Sequence, residues 1–231
     1  ELEAEEEEFR KELAKLPEYA QAAAEVGCTR CVTTLPPGGE SRPYHENFEF
    51  YRRRFHDVCM ALQPAGVRLG VSFQAAEYLR KKLAFQFIHD LDALSLLVNM
   101  VDAPNIGILL DVWDVVAGGG SLESISKVPV AQIVAVQVAE MPANVQLSDL
   151  DDKSRLLPGA ENGRIDIVAV LKQLAAAGYD GPVTPRPSRG VFQTRRRDLI
   201  VKQTGEALER AWRAAGLTSE RKFVPTAAIN G

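Results

Sequence analysis

The sequence predicts an α/β fold of the (β/α) barrel type, and three observations carry that reading. Near-continuously apolar segments, the mark of strands buried on both faces of a parallel sheet, alternate with amphipathic helical segments. Polar residues recur where these strands meet the following loop: Thr34, Ser72, Asp111, Gln137, Glu140 and Arg186. That end is where βα folds assemble their sites. No glycine-rich dinucleotide or phosphate-loop fingerprint opens a helix, because Gly118 to Gly120 follow a different pattern. A barrel is therefore preferred over an open dinucleotide-binding sheet.

The elements follow in order. "EFRKELAKLPEYAQAAAEVG" spaces Phe9, Leu13, Leu16, Tyr19, Ala20 and Ala23 as a helix, with Pro17 as a kink or restart and Gly27 as its stop. The acidic "ELEAEEEE" ahead of it reads as a solvated helix start. Five strands are expected, at 30–35, 67–73, 106–112, 133–139 and 182–186. The first ends in the turn "PPGG". Helices are expected over "ENFEFYRRRFHDVCMALQPAG", "FQFIHDLDALSLLVNMV", "SLESISKV", "IDIVAVLKQLAAAG" and "RRDLIVKQTGEALERAWRAAG". Ser121 opens the third of these as a cap, with only a loose capping box.

Composition narrows the function. The 231 residues suit one large α/β domain or two small ones, and 46% hydrophobic residues supply a substantial core. A net charge of −4 argues against a nucleic-acid or anionic-membrane binder, whose footprint would be basic. No apolar run reaches the length of a membrane span, and no signal-peptide pattern opens the chain. Three cysteines make no disulfide framework, so a cytoplasmic setting is expected. Residue 1 is Glu rather than Met, which reads as a chain processed, tagged or cut.

Some residues attract attention and receive ordinary readings. Cys28 and Cys31 form a C-x-x-C without a second pair, which reads as core packing rather than zinc or redox chemistry. His45, His56 and His89 fall on or beside helices and read as surface or packing residues. The runs Arg52–Arg54 and Arg195–Arg197 read as solvated or acid-paired helix faces and starts.

"GILLDVWD", "VAVQVAEMP", "RLLPGAENGRIDIVAVLKQLAAAGYDGPVTPRP" and "TGEALERAWRAAGL" together resemble the sugar phosphate isomerase/epimerase family, the xylose isomerase-like or AP endonuclease 2-like TIM barrels. The resemblance runs from about Tyr19 to Leu217 and is most specific from Leu156 to Pro187. It implies a TIM-type barrel domain over 1–217, its C-terminal five βα units, followed by a tail at 218–231. Five strands cannot close a barrel that needs eight and about 250 residues. The first three strands are expected either upstream or from another chain, a second copy or a partner, covering the open edge.

The resemblance also implies a divalent metal held by Glu, Asp, His and Glu at the strand ends, where it polarises a hydroxyl or carbonyl during proton transfer. Matched position by position, Ser72 stands for the first Glu and Asp111 for the Asp. Asp114 stands where a His often follows, and Gln137 and Glu140 stand for a His-x-x-Asp pair. Arg186 stands for the last Glu. One of four expected ligands survives. Arg186 brings a permanent positive charge to a place built for a cation, and at an effective dielectric of about 20 like charges a few ångströms apart repel by roughly 4 kcal/mol per unit pair. The expectation is therefore no metal and no other cofactor.

Three readings of Asp111 follow. It forms a structural ion pair with Arg186; or Arg186 grips an anionic or carbonyl group while Asp111, Asp114 or Glu140 acts as acid or base; or Asp111, Asp114 and Glu140 retain a metal. Arg155, Gln137, Ser72 and Trp113 complete the expected small-molecule site, with Arg155 at a position that in the family often contacts substrate. The functional alternatives are a metal-independent isomerase or epimerase acting by proton transfer, and a catalytically silent member that binds a ligand or a partner subunit.

Overall fold

The computed structural model of the chain describes residues 1–151, 153–194 and 196–217. The expected tail at 218–231 and Arg195 lie outside the described residues. The chain divides into two compact units, one of Glu1–Ala75, Leu79–Leu110 and Gln132–Ala135, the other of Ala76–Tyr78, Asp111–Ala131 and Val136–Gly231.

The first unit contains helices α1 (Glu6–Glu25), α2 (Tyr44–Leu62) and α4 (Leu91–Met100), and strands β1 (Arg30–Thr34), β3 (Arg68–Ser72) and β5 (Ile106–Asp111, to Leu110). It also holds the first half of β6 (Ile133–Val138). The strands run in the order β1-β3-β5-β6. β1 and β3 are parallel, with Thr34 opposite Ser72, and β3 and β5 are parallel, with Val71 opposite Ile108. Residues 106–111 are buried without interruption, as a strand covered on both faces must be. Phe55, Cys59, Val71, Leu94, Leu97 and Ile108 are fully enclosed, and each such aliphatic side chain contributes about 1.5–3 kcal/mol. Tyr51 stacks on Phe87 at 5.5 Å between ring centroids and lies 5.7 Å from Phe55.

All five expected strands are present within a residue or two of their expected limits. Three local expectations need correction. α1 runs through Pro17 without a break. The helix expected from Phe85 starts only at Leu91, where the Asp90 carboxylate accepts the Ala93 N–H at 2.8 Å. Phe85–Gln86 instead form a short strand, β4, antiparallel to Gly38–Gly39 (β2). Arg54, within α2, is acid-paired as expected, its Nη2 3.3 Å from Glu6 Oε2; it is also buried, donates to the backbone oxygens of Leu2 and Ala4, and lies 4.2 Å over the Phe9 ring. Cys28 is exposed rather than packed in the core, while Cys59 is buried.

The second unit contains the short α5 (Val112–Ala117), α6 (Leu122–Ser126), the second half of β6, α7 (Ile167–Ala176), β7 (Val183–Pro185) and α8 (Arg197–Ala214). A further short helix, α3 (Glu77–Arg80), is divided between the units. β6 and β7 are parallel, with Gln137 opposite Thr184 and Val138 opposite Pro185. α7 is opened by Asp166, whose carboxylate accepts the Ala169 N–H. α6 has a reciprocal cap in which Ser124, not a glutamate, answers Ser121. Among the described residues no helix is long and apolar enough to cross a membrane.

Candidate functional site

Asp111 is the last residue of β5 and also the cap of α5. Its Oδ1 accepts the N–H groups of Trp113 at 3.1 Å and Asp114 at 3.3 Å, satisfying donors that the first helical turn leaves open. The expected strand to residue 112 thus stops one residue earlier, and Trp113 and Asp114 are helical rather than strand or loop residues. Both are buried.

Two arginines meet this carboxylate. Arg155 Nη1 lies 3.1 Å from Asp111 Oδ1 and 2.9 Å from Oδ2, while its Nη2 bonds Asp114 Oδ2. Arg186 Nη1 lies 2.7 Å from Asp111 Oδ2 and 3.1 Å from Gln137 Oε1. Asp111 is fully enclosed, Asp114 nearly so, and the Arg155 side chain is 16% exposed against 39% for Arg186. Arg155 also lies 4.3 Å over the Trp113 ring, whose Nε1–H donates to the Ser154 carbonyl at 2.9 Å. Burial opposes the charge on Arg155, but Asp111 and Asp114 outweigh it and hold the guanidinium above its ordinary pKa.

The backbone explains why both arginines arrive there. Leu156 pairs with Glu140 in both directions, at 2.8 and 3.0 Å, and Ser188 N–H donates to the Arg155 carbonyl at 2.7 Å. The segment carrying Arg155 is therefore stitched to the end of β6 and to the loop after β7. Arg186 N–H continues the β6–β7 ladder by donating to Val138 O at 2.8 Å.

Glu140 sits apart from this network. Its Oε1 accepts the N–H groups of Met141 at 2.9 Å and Ile165 at 2.7 Å. Burial raises its pKa above the ordinary carboxylate value, and the backbone donors of Met141, Ile165 and Arg164 only partly offset that. The carboxyl presses on Gly163 so closely that a Cβ there would fall 2.1 Å from Glu140 Cδ. Arg186 donates to Asp111 and Gln137, and Arg155 bonds Asp114. Ser72 ends β3 in the first unit, buried, and among the described residues its Oγ has no hydrogen-bond partner. The three histidines stand elsewhere, with His56 and His89 each bonded through Nδ1 to a backbone carbonyl at 2.8 Å.

The donor set does not suit a divalent cation. Both oxygens of Asp111 face guanidinium nitrogens within about 3 Å, and a metal there would meet two fixed positive charges. Among the described residues, no three His, Cys, Asp or Glu side chains are grouped to hold a metal ion.

A family model described as the xylose isomerase-like TIM barrel matches residues 1–211. The chain belongs to this family. It is similar to a xylose isomerase domain protein from Alicyclobacillus acidocaldarius subsp. acidocaldarius, at 27% identity and a TM-score of 0.82, over 93% of this chain and 75% of that one. It is similar in fold to the IOLI protein with a binding zinc atom, at 16% identity and a TM-score of 0.74, over 92% and 72% of the two chains. A D-psicose 3-epimerase with D-tagatose, from Clostridium cellulolyticum H10, follows at 13% identity and 0.64, over 93% and 74%. A comparison with curated proteins finds no match. The xylose isomerase-like barrels are a sugar isomerase/epimerase-like family, so the chain carries that fold with an arginine-filled strand-end cluster.

Proposed function

We propose that this member binds a small polar, sugar-like molecule at the ends of β5, β6 and β7 without a divalent metal. The observation that carries the reading is the commitment of Asp111. Its two oxygens receive two backbone N–H groups and two guanidinium groups, which leaves the carboxylate no free lone pair for a metal or for a substrate proton. Asp111, Asp114, Arg155 and Trp113 then form a fixed floor, and the half-exposed Arg186 with Gln137 is the part that meets the ligand. Metal-assisted isomerisation is not supported by this chemistry.

One observation favours a second reading, proton transfer through Glu140. It is the carboxyl of the set that no arginine holds, and burial raises its pKa, as a general acid requires. Assays of ketose epimerisation and isomerisation, run after chelation and again with added Mn²⁺, separate these readings. The binding reading expects no turnover in either condition, and the Glu140 reading expects metal-independent turnover lost in Glu140→Gln. Turnover that appears only with Mn²⁺ would overturn both.

A further inference from the structure

The unused hydrogen-bond donors of the cluster narrow the ligand. Arg186 spends only Nη1, on Asp111 and Gln137. Among the described residues its Nε and Nη2 meet no protein acceptor, and neither does the Gln137 Nε2. None of these atoms is among the enclosed unpartnered groups, so they reach solvent. Arg186 Nε and Nη2 form one edge of the planar guanidinium fork, spaced to receive two oxygens of a single anion. The Gln137 amide, its oxygen turned to Arg186, adds a third donor and no acceptor.

Charge decides which anion. Asp111 and Asp114 together carry two negative charges, and Arg155 and Arg186 two positive ones. The cluster is neutral, and the Asp111 carboxylate stands directly behind the fork, 2.7 Å from Arg186 Nη1. A dianion such as phosphate would bring its second charge toward that carboxylate without a cation to match it. A monoanion with two coplanar oxygens satisfies the free edge with less repulsion. We infer that Arg186 and Gln137 recognise the carboxylate of a sugar acid, an inference that rests on the ligand-binding reading above.

The test uses the full chain and four probes followed by calorimetry and ligand-observed NMR: D-gluconate, its neutral counterpart D-glucitol, D-tagatose and inorganic phosphate. D-gluconate is expected to bind at least tenfold more tightly than the other three. Arg186→Lys keeps a cation beside Asp111 but removes the two-donor edge, and is expected to lower gluconate affinity about tenfold. Gln137→Met leaves the ion pairs intact and is expected to weaken gluconate binding as well. Glucitol or tagatose binding as tightly as gluconate would overturn the carboxylate inference and leave the binding site standing. Phosphate binding more tightly would overturn the charge argument. Gluconate affinity unchanged in both variants would place the acid elsewhere, and no binding of any probe would overturn the site itself.

Discussion

Replacing Arg155 by Ala tests how much the cluster depends on one side chain. The guanidinium is largely buried, bonds two enclosed carboxylates and stacks on Trp113. Its removal leaves Asp111 with its two backbone N–H donors and Arg186, and that guanidinium is 39% exposed and correspondingly screened. Asp114 loses the Arg155 guanidinium that bonds its Oδ2. Breaking a buried pair by deleting one member costs about 3–5 kcal/mol, and the lost stacking adds about 0.5–2 kcal/mol. The expected loss in urea unfolding at pH 7 is therefore roughly 4 kcal/mol or more. For a chain of this size that corresponds to a melting temperature lower by about 8–16 °C. Asp114→Asn in the same background removes the negative charge that Arg155 bonds and should recover part of the loss, with a coupling energy above about 1.5 kcal/mol in the double-mutant cycle. A loss under about 1 kcal/mol, or a coupling near zero, would refute the claim that Arg155 neutralises this pair.

Two further predictions concern titratable groups. Glu140 has a pKa raised above its unfolded value, so it binds its proton more tightly in the folded protein. Its contribution to stability is fully present below about 4.5, the model-compound region, and is lost as pH rises through its folded value. Glu140→Gln keeps an oxygen for the Met141 and Ile165 N–H groups and should flatten that part of the stability–pH curve; an unchanged curve would show that Glu140 is not the group responsible. Burial pushes the Cys31 thiol to about 11 and the Cys59 thiol to about 12, whereas Cys28 is exposed. Native protein at pH 7.5 should therefore react with a thiol reagent quickly at Cys28 and slowly at the other two, read by peptide mass mapping; fast labelling of Cys59 would contradict its enclosure.

The strand framework was legible because buried parallel strands leave continuous apolar runs, as in Ile106–Leu110 and Ile133–Val136. The polar residues closing those runs marked the candidate site for the same reason. What stayed hidden depends on contacts distant in sequence. The β2–β4 pair joins two-residue segments about fifty positions apart, too short for any periodicity to register. α5 begins directly after the residue that ends β5, and its apolar Val112 and Trp113 prolong the strand pattern. The pairing of Asp111 with Arg186 was expected and is found, but Arg155 was read as a substrate contact. Its turn toward Asp111 and Asp114 follows from the Glu140–Leu156 bridge and the Ser188–Arg155 bond, which no local pattern announces.

Two guanidinium groups meet the Asp111 carboxylate where the family resemblance implies a metal ion. Anomalous diffraction from crystals of the full chain soaked in MnCl₂ tests it most directly. The expected result is ordered Arg155 and Arg186 side chains on Asp111 and no anomalous peak within coordination distance of its carboxylate. A manganese peak bonded to Asp111, with either arginine displaced, would contradict it.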